Sequence, residues 1–449
     1  MNIVLEGIAT TEETLTYKHL PFDVPPGIGR IDVAYKYDSA ISSDPTATSG
    51  NTVDIGIFDS RGIEFMTSGF RGWSGSARSE FYIAHDEATP GYMPGPIQPG
   101  TWHICLGLYK VAPEGCHYRV SIDLTPQETE REVSFPTLLS MRDRPNQRRE
   151  PSFVLQSNWY RGDIHCHSYH SDGDSDPLDI VRQAEALRLD FLAITDHNVV
   201  TQQARLNEID TDLILIPGYE VTTYFGHWNI WGDGEWVDFR ITSADQMQGA
   251  IDSARQRGFL VSCNHPKPYG PPWSFEDATG YACVEVWNGP WSFFNPDALD
   301  FWETRLKRGE RLTAVGGSDS HFLKRDHPAK LGQPTLWVYC PDDPTPRNLL
   351  NAIRAGKTFV SARPVAPMIF MSSEQSDPAI VDLNPRLVNA IGMTLEVITA
   401  QGCVREYAVE QGDESKTFTI DGRDTPYIRV QLVQDGEVKA LTSPIYVSH

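Results

Sequence analysis

The chain has 449 residues, with 38 basic against 60 acidic side chains and a formal net charge of −22. At roughly 150 residues per domain this length predicts about three domains, and the 40% of hydrophobic residues supply a core for each. The acidic balance argues against a stable nucleic-acid complex or an anionic membrane surface, because both need lysine and arginine to neutralise phosphates. No apolar run approaches the length of a membrane span and no secretory signal opens the sequence, so we expect a cytoplasmic protein.

The N-terminal part of the chain has the pattern of a β-sandwich. Residues 1–130 contain alternating apolar segments such as RIDVAY and TWHICLGLY, broken by clusters of Gly, Pro, Ser and Asp. Residues 131–158 mix charges and prolines without sustained periodicity, which predicts a linker. We expect the β regions to serve as scaffolding, because neither collects a convergent set of metal-ligand side chains.

The pattern changes to alternating strands and helices over residues 159–362, which predicts a parallel β/α arrangement. Asp176, Ser243 and Asn295 each stand directly before a helical segment, and a strand follows each helix. Residues 363–449 return to short alternating strands, so we expect a small C-terminal β-sandwich.

Histidines and carboxylates collect at strand ends of the central region. His165 and His167 are two residues apart after a strand, so both rings face the same way and can hold one metal ion. Glu220 ends the predicted strand LILIPG, and the remaining candidate ligands come from the segments SDGD, TDHN, NHP and SDSH: Asp172, His197, His265, Asp319 and His321. Because β/α barrels place their active sites at the C-terminal ends of strands, these residues predict a metal centre.

Other side chains near these segments are candidates for catalysis and substrate binding. His227 shares a strand face with Asn229 in GHWNIWG, and it could protonate a leaving group, contact a further metal or serve packing. A metal-bound water is the alternative proton donor. Lys267 and Arg161 lie next to ligand segments and are candidates for contacts with a phosphate.

Two further groups could shape the site. We expect Asp163 and Asp196, which adjoin candidate ligands, to orient the imidazoles. Five aromatic residues in the loops beyond His265 and Glu285 could line a pocket for an aryl or nucleobase group: Trp273, Trp287, Trp291, Phe293 and Phe294.

The ordered segments HCH, SDG, TDHN, GYE, NHP and SDSH resemble the PHP (polymerase and histidinol phosphatase) metallohydrolases over about residues 160–360. The GHxN segment and the flanking β regions resemble their carbaryl-hydrolase-like branch. The resemblance implies an α/β fold, a distorted (βα)7 barrel flanked by the two β-sandwiches, with two or three divalent ions. It assigns His165, His167, Glu220 and Asp319 to one ion, assigns Asp172, His197 and His321 to another, and lets Glu220 bridge to a further ion on His265.

Such a centre favours hydrolysis by a metal-bound hydroxide, because two close cations lower the pKa of a bridging water. Mn²⁺, Zn²⁺ and Fe²⁺ all suit a histidine and carboxylate ligand set. Two or three divalent ions outweigh the three carboxylates of the ligand set, so we expect a small-molecule anionic ester as substrate, a phosphodiester or phosphomonoester.

Two alternatives remain open. Hydrolysis of a carboxyl or carbamate ester is the nearest, because the same nucleophile attacks a carbonyl. A non-catalytic carbohydrate- or partner-binding protein is a remote one. The oligomeric state is not predicted.

Overall fold

The computed structural model describes residues 1–44, 46–127, 133–142, 144, 148, 150–152, 156–234, 236–268, 270–365, 367–377 and 380–447. Much of the predicted linker, residues 131–158, therefore lies outside the described residues. The described chain is a mixed α/β protein with several β-sheets, and most strand pairs are antiparallel. None of its described helices is long and apolar enough to cross a membrane.

The N-terminal region consists of two antiparallel sheets that share one core. Its strands are β1 (Asn2–Ala9), β2 (Tyr17–Val24), β3 (Ile28–Tyr37), β4 (Thr52–Phe58), β5 (Phe70–Gly75), β6 (Glu80–Ala84), β7 (Gly100–Lys110) and β8 (Cys116–Pro126), with a 3₁₀ helix at Thr11–Glu13. The sheets have the orders β1-β8-β3-β6 and β2-β7-β4-β5. Val33 and Ile122 from the first sheet pack with Ile55 and Ile104 from the second, so the two apolar faces bury each other as in a β-sandwich.

The central region alternates strands and helices. Its elements are β9 (Trp159–Asp163), α1 (Pro177–Ala186), β10 (Phe191–Leu192), α2 (Thr201–Glu208), β11 (Ile214–Leu215), β12 (Gly218–Thr223), β13 (Gly226–Trp231), α3 (Ala244–Gln256), β14 (Leu260–Cys263), β15 (Cys283–Asn288), α4 (Asn295–Lys307), β16 (Thr313–Gly317), β17 (Thr335–Tyr339), α5 (Pro346–Arg354) and β18 (Thr358–Ser361). Strands β9, β10 and β11 pair in parallel, and a five-stranded sheet follows the order β12-β13-β14-β15-β16.

The expected parallel arrangement is wrong at β17, which pairs antiparallel with β9 and β18, and at β13. Strand β13 pairs antiparallel with both β12 and β14. Only Tyr224 and Phe225 separate β12 from β13, and so short a connection makes a hairpin, because a parallel crossover needs a dozen or more residues. Glu220 therefore lies within a hairpin strand rather than at the end of LILIPG, where Pro217 interrupts the pairing.

Two short contacts join the parallel strands to the five-stranded sheet. His197 forms an isolated parallel bridge with Glu220, and Cys166 forms one with Ser320. Among the described residues the strands form no single closed barrel with continuous pairing. The bridges nevertheless bring the C-terminal ends of β9, β10 and β16 beside β12.

The helices begin largely where the sequence predicts. Asp176 accepts a hydrogen bond from Leu178 N at the start of α1, and the Ser243 hydroxyl accepts one from Gln246 N at the start of α3. Asn295 is not a cap but the first residue of α4. Its buried side chain instead hydrogen-bonds the backbone of Asn288.

The C-terminal strands extend the central sheet. They are β19 (Met368–Asp377), β20 (Ile380–Val388), β21 (Thr394–Thr399), β22 (Gly402–Ala408), β23 (Asp413–Ser415), β24 (Phe418–Asp421), β25 (Tyr427–Gln434), β26 (Glu437–Thr442) and β27 (Ile445–Tyr446). One sheet runs β11-β10-β9-β17-β18-β26-β25-β21-β22, so pairing continues across the predicted boundary at residue 363. A second sheet, built from β19, β20, β23 and β24, packs on its C-terminal part.

Candidate metal centre

Glu220 lies at the centre of the histidine cluster, fully buried on β12. Its two carboxylate oxygens face different imidazoles. Oε1 lies 3.2 Å from His265 Nε2 and 3.4 Å from His165 Nε2. Oε2 lies 2.8 Å from His197 Nδ1 and 3.7 Å from His167 Nε2. A carboxylate in this position can bind two cations, one through each oxygen.

Two further carboxylates complete the cluster. Asp319 Oδ1 lies 3.0 Å from His167 Nε2 and 3.5 Å from His165 Nε2. Asp172 Oδ1 lies 3.3 Å from His321 Nε2 and 3.5 Å from His197 Nε2. The structure therefore brings all eight predicted ligands into one connected cluster.

The ligand atoms form overlapping groups, each compact enough to hold one ion. The groups are His167, Asp172, His197 and His321; His165, His265 and Asp319; His165, His167 and Glu220; and Glu220, His227 and His265. This grouping differs from the expected one, because His167 also joins the group around Asp172 and His265 also joins His165 and Asp319. His227 joins His265 and Glu220, which is one of the roles left open for it.

Several buried ring nitrogens of the cluster lack a hydrogen-bond partner within the described part of the chain, as expected of residues that bind divalent cations. His165 Nε2, both ring nitrogens of His167 and His227 Nε2 are buried and have no hydrogen-bond partner among the described residues. Buried polar atoms are rarely left without a partner, so several at one point indicate a missing ligand. The N–O separations of 3.0 to 3.5 Å around Asp319 and Asp172 suit atoms that would hold a shared ion at about 2.1 Å.

Charge is distributed unevenly across the cluster. Burial opposes ionisation of Glu220, but His165 and His227 outweigh it and hold the pKa of Glu220 well below its usual range. The pKa of Asp319 is likewise held well below its usual range, because His165 and His167 outweigh the effect of burial. Burial, His321 and His197 lower the pKa of His167 to about 4, so this ring is neutral and offers a lone pair to a cation.

Hydrogen bonds at the Nδ1 atoms of three imidazoles fix the orientation of their rings. His165 Nδ1 lies 2.7 Å from Glu285 Oε1, His197 Nδ1 lies 2.6 Å from Thr222 Oγ1, and His321 Nδ1 lies 2.9 Å from the carbonyl oxygen of Asp319. A carboxylate behind a ligand imidazole fixes its orientation and raises its basicity. Glu285 is therefore a functional residue that the sequence interpretation did not identify, because an acid within CVEVWN carries no local signal of its partner 120 residues away.

Asp163 and Asp196 do not orient the imidazoles as expected. Asp163 accepts hydrogen bonds from the backbone N–H groups of His165, Ser318 and Gly332. Asp196 accepts them from the backbone and hydroxyl of Ser168 and from the Ser171 hydroxyl. Both carboxylates thus hold the loops that carry ligands, because their short side chains reach neighbouring N–H groups before they reach a ring.

Two ligands have backbone angles in the left-handed region. His265 has φ 27° and Asp319 has φ 50°. Non-glycine residues avoid this region, and such strain collects at functional sites where the surrounding structure enforces it. Asp319 N donates to His165 O at 2.8 Å, a contact that ties the strained turn to β9.

Only one of the two predicted substrate-binding residues lies near the cluster. Lys267 is buried near the cluster, where its Nζ donates to Asn288 Oδ1 at 2.9 Å, and Asn288 Nδ2 donates to Asp319 Oδ2 at 3.2 Å. Arg161 is not part of the cluster, because its guanidinium donates to the carbonyl oxygens of Arg188 and Pro364. Its contacts give it a structural role rather than the expected contact with a phosphate.

A cavity of about 460 Å³ opens beside the cluster. Asp172, His197 and His227 line one wall, and residues of the N-terminal sandwich line the other, among them Asp54 and Tyr109. The expected aromatic lining is wrong, since the cavity wall includes none of these five residues: Trp273, Trp287, Trp291, Phe293 and Phe294. Trp273 and Trp287 are buried in the core of the central region, and Trp291 packs edge-on against Trp287.

No family model and no curated protein sequence matches this chain. Among solved structures, a two-domain protein from Bacteroides vulgatus containing a predicted PHP-like metal-dependent phosphoesterase is 17% identical, with a TM-score of 0.36 over 70% of this chain and 100% of that one. An amidohydrolase from Chromobacterium violaceum with bound sulfate and no metal is also 17% identical, with a TM-score of 0.27 over 37% of this chain and 89% of that one. The function of this chain is therefore inferred from its own side chains.

Proposed function

We propose that this protein is a metal-dependent hydrolase of phosphoesters. The observation that carries the proposal is Glu220, whose Oε1 faces His165 and His265 while Oε2 faces His167 and His197. A buried carboxylate shared between two sets of imidazoles suits a pair of divalent cations, Mn²⁺, Zn²⁺ or Fe²⁺. When bound, such cations activate water and stabilise the negative charge that develops in the transition state.

The architecture proposed for this function is the distorted (βα)7 barrel of the PHP family. The bridges His197–Glu220 and Cys166–Ser320 support it, because they join the parallel strands to the five-stranded sheet. In such a barrel, a break in the strand pairing beside the metal cluster would let side chains from four strand ends meet at one point. Membership of the carbaryl-hydrolase-like branch and the domain boundaries at residues 130, 158 and 362 stay predictions.

The chain's own residues prepare the site in three ways. Glu285 and Thr222 fix the rings of His165 and His197. Asp163 and Asp196 hold the ligand loops through backbone N–H groups. The carboxylates of the cluster remain ionised, so the site is ready to bind cations without prior loss of carboxyl protons.

His227 is our candidate for the group that protonates the leaving oxygen. Its ring lines the cavity, and its Nε2 has no hydrogen-bond partner among the described residues. Its Nδ1 lies 3.5 Å from Glu220 Oε1, a position that equally suits a ligand to a cation shared with His265. The two roles differ in their consequences, since only a proton donor matters more for a poor leaving group than for a good one.

Hydrolysis of a carboxyl or carbamate ester is the second candidate. Trp73 and Tyr109 from the N-terminal wall give the cavity aromatic surface suited to a neutral aryl ester. The phosphoester remains the better substrate because the anionic oxygens of a phosphoryl group can contact two cations at once, whereas a neutral carbonyl gains less.

The test is kcat/KM on one metal-loaded preparation for bis(p-nitrophenyl) phosphate, p-nitrophenyl phosphate and p-nitrophenyl acetate, with His165→Ala as background. We expect at least one phosphate ester to exceed the acetate. An acetate advantage of about tenfold over both phosphates, or roughly 1.4 kcal/mol, contradicts the proposal in favour of the carbonyl-ester alternative. His227→Gln, assayed on phenyl and p-nitrophenyl phosphates with its metal content measured, separates a proton donor from a ligand.

A further inference from the structure

The wall of the cavity opposite the metal cluster carries a buried carboxyl group from the N-terminal sandwich. Asp54 lies on β4, is 9% exposed and lines the same cavity as Asp172, His197 and His227. Burial raises the pKa of Asp54 to about 7 despite a hydrogen bond from Tyr224. A sandwich core gains nothing from an acid at this position, so its placement on the cavity requires another explanation.

The chain holds this carboxyl group in a fixed position. The Tyr224 hydroxyl, on the turn of the β12–β13 hairpin, donates to Asp54 Oδ2 at 2.7 Å. Asp54 pairs with Gly107 across β4 and β7, and a Cβ at Gly107 would collide with the Tyr224 hydroxyl. Ser76 also hydrogen-bonds Asp54, through its hydroxyl and its backbone N–H. A carboxylate offers about four acceptor positions, so Asp54 keeps capacity for a further hydrogen bond from a molecule in the cavity.

The surroundings of Asp54 are rich in hydroxyl groups. The N-terminal part of the wall includes Ser42, Ser43, Ser74 and Ser76, and the described lining residues include no lysine or arginine. A second anionic group on the substrate would therefore meet Asp54 without a lysine or arginine of the described wall to balance its charge. A purely apolar group would remove water from the acceptor positions of Asp54 that the protein leaves unused and offer no hydrogen bond in return, which costs free energy.

Aromatic surface accompanies these hydroxyl groups. Tyr37 and Tyr109 are half-buried in the wall, and Tyr109 stacks on Tyr224 with ring centroids 5.3 Å apart. Hydroxyl groups that both donate and accept, beside aromatic faces that pack against C–H groups, suit a ligand that has both features. The cavity of about 460 Å³ is large enough for a monosaccharide-sized group.

We propose that the N-terminal sandwich forms the specificity wall of the active site and that it binds a polyol, such as a sugar, as the non-reacting part of the substrate. Asp54 is the specificity-determining residue, and it accepts hydrogen bonds from hydroxyl groups of that part. This inference rests on the proposed phosphoester hydrolysis, with the phosphoryl group at the metal cluster and the polyol at Asp54.

The experiment compares phosphate release from four monoesters by the full, metal-loaded chain: glucose 6-phosphate, n-hexyl phosphate, phosphoethanolamine and p-nitrophenyl phosphate. We expect kcat/KM for glucose 6-phosphate to exceed that for n-hexyl phosphate by about tenfold or more, the discrimination expected from hydrogen bonds to a charged acceptor. Asp54→Asn should lower this ratio about tenfold, mainly through KM, and Ser76→Ala should lower it by a smaller factor. Asp32→Asn is the matched control, an acid of the same sandwich paired with Arg30 outside the cavity, and should leave the ratio unchanged.

Several results overturn the proposal. Phosphoethanolamine or n-hexyl phosphate as the best substrate excludes a polyol, and an unchanged ratio in both Asp54→Asn and Ser76→Ala excludes this wall. If none of the four monoesters is hydrolysed, calorimetric binding of glucose 6-phosphate against n-hexyl phosphate decides about the wall, and the proposed function fails only if bis(p-nitrophenyl) phosphate is not hydrolysed either. Tighter binding of glucose 6-phosphate than of n-hexyl phosphate by the wild type, with this difference lost in Asp54→Asn, supports the inference. Equal binding of the two ligands by the wild type overturns it.

Discussion

The two β regions that flank the metal cluster contact it in different ways. The N-terminal sandwich reaches into the site: the Arg78 guanidinium donates to the carbonyl oxygens of Ser171 and Tyr169, and Asp54 lines the cavity. The C-terminal strands continue the central sheet through β18 and β26 and contact the outer side of the molecule, where Arg429 pairs with Glu303 of α4. No described residue of the cavity wall comes from them.

This difference shows that similar β architecture does not imply a similar role. The C-terminal region, joined by continuous strand pairing, extends the sheet away from the cavity, whereas the N-terminal region lines the cavity beside the cluster. The expectation that both β regions are scaffolding therefore agrees with the contacts of the C-terminal region only. Variants in the cluster should lower turnover most. Variants in the N-terminal contact, made by Arg78, should lower it less, and variants in the C-terminal contact, made by Arg429, should lower it least.

The largest loss of turnover is expected at the ligands themselves. Asp319→Ala and His167→Ala should each lower kcat by about 10³-fold or more, because each removes an atom that faces two or more other ligands. Far-UV circular dichroism should be unchanged, since the fold has cores of its own. Activity that persists in both variants would place the reaction elsewhere in the molecule.

Glu285 should have the next largest effect. Glu285→Gln weakens the hydrogen bond that orients His165, so we expect metal affinity to fall about 10- to 100-fold. Metal titration with a competing chelator measures this change. Glu276→Gln, an acid of the same region outside the groups that could hold an ion, should bind metal like the wild type. Equal affinities in both variants would refute a role for Glu285.

The N-terminal contact should have a moderate effect. Arg78→Ala removes both hydrogen bonds to the loop that carries Asp172, so we expect kcat/KM to fall by about tenfold while the free energy of unfolding changes little. Arg30→Ala, in the same sandwich but paired with Asp32, controls for a general loss of positive charge. Equal kinetics of the two variants would mean that the N-terminal region does not position the site.

The C-terminal contact should have the smallest effect on turnover. Arg429→Met leaves Glu303 buried with Tyr427 as its remaining partner, so the free energy of unfolding should fall by roughly 3–5 kcal/mol. Below the unfolding temperature kcat/KM should match the wild type. Chemical denaturation and steady-state kinetics measure the two quantities on one preparation. If Arg429→Met lost turnover without losing stability, the two β regions would not differ in their effect on the site, contrary to this prediction.

The residues of the cluster could be selected from the sequence because the chemistry of candidate metal ligands is local. Two histidines at a spacing of two share a face whatever lies around them, and the ligand segments converge in the structure as their positions at strand ends suggest. Glu285 and Asp54 could not be found in this way. Each lies in a segment with the pattern of an ordinary buried strand, CVEVWN or TVDIGIF. The role of each carboxyl group depends on a hydrogen-bond partner more than 100 residues away in the sequence.

The central claim is that the buried cluster around Glu220 holds at least two divalent cations. Elemental analysis of protein dialysed with Mn²⁺ and Zn²⁺ and then freed of loosely bound ions tests it most directly. We expect two or more ions per chain in the wild type and a clear reduction in Asp319→Ala. Fewer than one ion per chain in the folded wild type would contradict the metal centre, and with it the proposed hydrolase.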